Sequence, residues 1–140
     1  MSKVVVADAV WTNPPTRRDL QNRLERLPLS ADAKVLMAQL LDTTVDVAGR
    51  IMEVGRRILS FVLEMMKRHP ATALGAIVGL TVTMLVGSVP LLGVVLGPVV
   101  GPLLTAFMIS QGALTDMRNS SLGQQIELFG TRLDAALTRD

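Results

Sequence analysis

Behind an arm that ends in Asn13-Pro14-Pro15, leucines recur at Leu20, Leu24 and Leu27. That three-to-four spacing places them on one side of a short helix, about Arg17 to Leu27. Thr16 is positioned to cap it, Asp19 completes a capping-box pattern, and Pro28 ends it. From Ser30 the pattern changes. Polar side chains fall at Asp42, Asp46, Arg50, Glu53, Arg57, Ser60, Glu64 and Lys67, always three or four apart. This predicts one long amphipathic helix, Ala31 to Arg68, with Ser30 as N-cap and Asp32 near its positive end. Met37, Leu41, Ala48, Ile51, Ile58, Val62 and Met65 form the opposite face. Acid precedes base at i,i+4 in Asp46–Arg50, Glu53–Arg57 and Glu64–Arg68, each pair contributing a few tenths of a kcal/mol. Such a helix spans roughly 55 Å and needs partners or a lipid surface to cover its apolar side. Leu41, Ile51, Ile58 and Val62 are its candidate interaction face.

The polar periodicity then stops. Arg68 and His69 are the last charge-bearing side chains before a run without charge from Pro70 to Thr115, closed by Asp116 and Arg118. At about 20 residues per helical pass this is enough for two passes through hydrocarbon. Small residues recur at every fourth position: Ala71, Gly75, Gly79, Thr83 and Gly87, then Gly93, Gly97, Gly101 and Thr105. In lipid, helices associate by close packing, which such ladders permit. The first arm reads as Ala71 to Ser88, with a turn at Gly87-Ser88-Val89-Pro90. Pro98, with Gly97 before it, is positioned to open the second arm, which runs to Gln111-Gly112. Pro90, Pro98 and Pro102 are the candidate turn residues.

Charge returns after Thr115, and with it an amphipathic pattern. Leu122, Ile126, Phe129, Leu133 and Leu137 make the apolar stripe of a helix over about Leu122 to Thr138, with Ser121 and Gln124 as a second capping box. Nothing in the spacing predicts a β-sheet. The expected fold is an all-α membrane protein: a long amphipathic helix, a glycine-zipper hairpin that is transmembrane or re-entrant, and a short amphipathic C-terminal helix. Its segments are 1–29 (arm and short helix), 30–69 (long helix), 70–115 (hairpin) and 116–140 (tail). The run around Val4-Val5-Val6, interrupted by Asp8, does not read as a signal peptide, so insertion is expected to use the internal segment.

Composition sharpens this picture. Of 140 residues, 49% are hydrophobic and 19% charged, and the mean hydropathy of +0.43 suits a small membrane protein with polar ends. A net charge of +2 without a basic cluster argues against nucleic acid as a partner. The absence of cysteine removes disulfides, thiolate catalysis and iron–sulfur clusters. Arg56, Arg57, Lys67 and Arg68 beside the first arm place both termini on the cytoplasmic side. Between Val89 and Pro102 the tip has no charged or amide side chain, so it is buried against protein or rests at an interface.

No pattern carries chemistry. His69, the only histidine, reads as a boundary residue, and Asp42, Asp46, Glu53 and Glu64 read as a solvated ion-pair stripe. No phosphate-binding loop, dinucleotide fingerprint, nucleophile elbow or metal-ligand spacing is present, so no catalytic residue, cofactor or metal is expected. Thr81, Thr83, Ser88, Thr105 and Ser110 are a thin lining for an ion path, and helical hydroxyls of this kind usually bond their own backbone.

The proline-bearing apolar segment resembles in architecture the hairpin of lipid-droplet proteins such as oleosins, which turns at a proline knot. Pro98 and Pro102 keep the knot's spacing; the interval from Pro90 is one residue longer, and the knot's serine is absent. The sequence therefore leads to a non-enzymatic, homo-oligomeric integral membrane protein, a scaffold or accessory subunit with room for a protein partner on its long helix. A pore or permeabilising effector and a monotopic coat protein are the rivals. A fold that shelters the hairpin in water needs several amphipathic helices around it, and the pattern offers one long and two short.

Overall fold

The computed structural model describes residues 15–70 and 72–138, so the Val4–Val6 run and the ladder position Ala71 lie outside the described residues. The first helix, α1 (Arg17–Arg26), is capped as expected: the Asp19 N–H donates to Thr16 Oγ1 at 3.1 Å. Leu20 and Leu24 are buried on its inner side. In α2 (Ala31–Leu41) the Ala33 N–H donates to Ser30 Oγ at 3.2 Å.

The long helix does not continue past Leu41. A β-hairpin interrupts it, with β1 (Val45–Val47) antiparallel to β2 (Arg50–Met52) and Val45 paired with Met52. The cause is local. Thr43, Thr44, Val45 and Val47 are β-branched and favour an extended backbone. Ala48 (φ 54°) and Gly49 (φ 86°) then take successive left-handed conformations, the requirement of a two-residue turn whose twist matches the strands. Asp46 Oδ1 accepts the Gly49 N–H at 3.0 Å, so Asp46 serves the turn rather than a helical pair with Arg50.

The helix resumes as α3 (Val54–Arg68), folded back onto α2. Gly55 makes the crossing possible. Its N–H donates to Thr43 O at 3.0 Å, and a Cβ there would lie 1.9 Å from the Leu40 carbonyl oxygen. Two shorter helices can cover each other's apolar faces where one long rod cannot. Leu41, Ile58 and Val62, expected to face a partner, are accordingly buried in this chain's own core, while Ile51 on β2 is 72% exposed.

The uncharged run forms α4 (Leu74–Ser88) and α5 (Pro90–Ala106), joined through Val89 alone. The chain turns at Val89, within the first of the candidate turn segments. The second arm, however, opens at Pro90, in the first helical turn, and Pro98 and Pro102 lie inside α5. The arm ends at Ala106, and Ser110 caps a further helix, α6 (Gln111–Arg118), by accepting the Ala113 N–H at 3.2 Å. In α7 (Ser121–Thr138) the five stripe residues are buried as expected. The cap is Ser120, one residue earlier than expected, whose Oγ accepts the Gly123 N–H at 3.4 Å.

α4 is the central element, with α3, α5, α6 and α7 packed against it, α2 against α3 and α5, and α1 across α2 and α3. Phe61 of α3 stacks on Phe129 of α7 at 4.4 Å between ring centroids. The described chain is thus all-helical apart from one small hairpin. None of its helices is long and apolar enough to cross a membrane. The 15 residues of α4 and 17 of α5 give about 22 and 26 Å at 1.5 Å per residue, against roughly 30 Å of hydrocarbon. The expected two passes are not seen because α6 takes up the end of the uncharged run, while splitting the long helix supplies an extra amphipathic wrap.

Candidate functional site

The α4–α5 hairpin remains the feature that composition singles out, and its two arms have different environments. α4 is enclosed: Ile77, Val78, Leu80, Val82 and Leu85 are all fully buried. Its ladder is used within the chain. A Cβ at Gly75 would meet the Phe107 side chain at 2.6 Å, and one at Gly79 would meet Ile109 Cδ1 at 2.6 Å. These two glycines let the segment after α5 close over α4. Gly87, by contrast, faces open space.

In α5, Leu92, Leu96 and Leu103 point into the core. Gly93 approaches Val86, whose carbonyl would lie 3.3 Å from an added Cβ, while Gly97 and Gly101 have nothing within 4 Å. Of the three glycines of the second ladder, Gly93 alone therefore makes a close approach. Leu91, Val94, Val95, Pro98, Gly101 and Pro102 are exposed at helical spacing and make one continuous uncharged face. Val94 is 80% exposed, and Met108, just beyond the helix, 91%. An open groove of about 530 Å³ runs between this arm and α2, lined by Asp32, Val35, Leu36, Pro102, Thr105 and Ala106.

Two of the hydroxyls on α4 bond back to their own helix. Thr81 Oγ1 donates to Ile77 O at 2.7 Å and Ser88 Oγ to Met84 O at 2.8 Å. Thr83 Oγ1 is buried without a hydrogen-bond partner among the described residues.

The anticipated acidic stripe is dispersed by the fold. Asp42 pairs with Arg17, whose Nε donates to it at 2.7 Å across 25 residues of sequence. Glu53 lies 3.7 Å from Arg56, and Glu64 3.5 Å from Lys67, both at i,i+3. His69 ends α3, its backbone N–H donating to Met65 O at 2.8 Å. Burial, and then the neighbouring Arg56, lower the pKa of Arg57, with Glu53 opposing. Among the described residues no group of His, Asp or Glu is arranged to hold a metal ion.

Sequence reasoning missed the structural roles of Gly55, Gly123 and Ser110. A Cβ at Gly123 would lie 2.0 Å from the Arg118 carbonyl oxygen, as close a backbone approach as that at Gly55. The Ser110 cap was legible in principle, since a serine ahead of a helix-compatible stretch is a start signal. Comparison with protein-family models, with curated proteins and with solved structures finds no match to this chain.

Proposed function

We propose that the protein is a non-enzymatic structural component of a membrane surface, a scaffold, membrane-shaping protein or accessory subunit that attaches through the α4–α5 hairpin. The observation that carries this reading is the exposed face of α5. An apolar patch rimmed by polar surface marks an interaction site, and here it lies on a segment with no charge from Pro70 to Thr115. Attachment replaces crossing: the bundle stays closed, the outer face of α5 meets one leaflet, and both termini remain on the cytoplasmic side.

Copies concentrated in the plane of the membrane can then meet along the edge of the α5 face at Gly97, which this chain leaves uncovered. Homo-oligomerisation is thus a property of the membrane-bound state. The hydroxyls of α4 offer little to an ion path, because Thr81 and Ser88 are already engaged by backbone carbonyls.

Flotation of purified protein with dye-filled phospholipid vesicles tests the reading. The protein is expected to rise with the vesicles while the dye is retained. Protein left at the bottom of the gradient contradicts membrane attachment. Flotation with prompt dye release replaces the scaffold by a permeabilising effector.

A further inference from the structure

The exposed face of α5 is uncharged, and its size and chemistry discriminate between the possible occupants. The helix is about 25 Å long and about 10 Å wide, so one face offers on the order of 250 Å². A stable protein interface needs about 800 Å² from each partner. Leu91, Val94, Val95, Pro98, Gly101 and Pro102 also provide no side-chain donor or acceptor that would fix the register of a protein partner. A lipid surface has neither a minimum area nor a register.

The prolines set the depth. Proline has no N–H, so Pro98 and Pro102 leave the carbonyls of Val94 and Pro98 without their helical donors. In the hydrocarbon centre those carbonyls would be unsatisfied, which is costly. At the boundary between headgroups and acyl chains, water still reaches them. Helices that lie in this boundary sink about 5–10 Å, which suits an arm whose opposite side is fixed to a folded core.

Resting on the membrane-attachment reading above, we propose that the outer face of α5 is a lipid-docking surface, lying flat at the headgroup–acyl boundary of one leaflet with Val94 and Gly101 in contact with lipid and α7 turned to water. The 530 Å³ groove beside it is its flank, where Asp32 marks the change from apolar to charged surface.

The chain has no cysteine, so single probes can be placed without background. Val94→Cys, Gly101→Cys and, as a control on α7, Leu128→Cys are each labelled with an environment-sensitive fluorophore. Val94 and Leu128 are 80% and 47% exposed, and nothing lies within 4 Å of a Cβ at Gly101, so none of these changes disturbs the core. Each is mixed with vesicles of equal parts phosphatidylcholine and phosphatidylglycerol. Emission at positions 94 and 101 is expected to shift to the blue and rise about twofold, with stronger quenching by nitroxides near the headgroups than by nitroxides at chain ends. The probe at 128 is expected not to change. If the protein floats but the α5 probes stay aqueous, the docking face is wrong while the membrane reading stands. If nothing floats, the membrane reading itself fails. Deep quenching overturns the interfacial depth, and a blue shift that grows with protein concentration without vesicles assigns the face to a second copy instead.

Discussion

Glycine at position 75 has the opposite meaning from glycine at position 97, although both belong to a four-residue ladder. An added methyl at 75 strikes three side-chain atoms of Phe107, so Gly75→Ala is expected to lower stability by about 1–2 kcal/mol. At 97 the methyl meets nothing, and Gly97→Ala should raise stability by about 0.5–1 kcal/mol through the reduced freedom of the unfolded chain. Paired urea titrations of the detergent-free protein check the sign of each. Equal destabilisation by both would mean that the second ladder is packed in solution. Gly55 is the most constrained of these positions, because its neighbour is the Leu40 carbonyl and backbone cannot swing aside. Thr83 sits at the other extreme. Its buried hydroxyl is unpaired, so the isosteric Thr83→Val should be neutral or stabilising by about 1 kcal/mol, read from the same titration.

Between residues and the whole, the β-hairpin Val45–Met52 decides the architecture, because it turns one rod into the pair α2 and α3. Ala48 holds a left-handed backbone that asparagine tolerates better. Ala48→Asn should therefore raise the melting midpoint by a few degrees, measured by circular dichroism; a lower midpoint would argue against the turn. This element shows where legibility ended. The caps at Thr16 and Ser30 and the stripe Leu122–Leu137 were readable because each is a local signal that the final packing reinforces. The polar positions from Asp42 to Lys67 also kept helical spacing, but the β-branched run before Gly49 outweighed it, and tertiary packing of α3 on α2 rewarded the break. Pro98 was misplaced for a related reason. Proline favours a helix start, yet on the exposed side of α5 its missing hydrogen bond can be replaced by solvent. The uncharged hairpin itself was plain in the sequence. Which of its faces is covered was not, since that depends on helices far away in the chain.

At the scale of the molecule, the apolar hairpin is one half core and one half surface. α4 is enclosed by four helices, and α5 shows its outer side. Attachment by that side leaves the bundle intact; two-pass insertion would require α4 to leave α7. These alternatives can be separated by joining α4 to α7. A Cβ at Gly130 would lie 3.5 Å from Ser88 Oγ, within small adjustments of disulfide reach in a chain without other cysteines. The most direct measurement is vesicle flotation of the Ser88→Cys/Gly130→Cys protein, oxidised and reduced. The closed-bundle account predicts equal flotation of both forms. Flotation of the reduced form alone, with the oxidised form left at the bottom, would contradict it and show that the hairpin must open to bind.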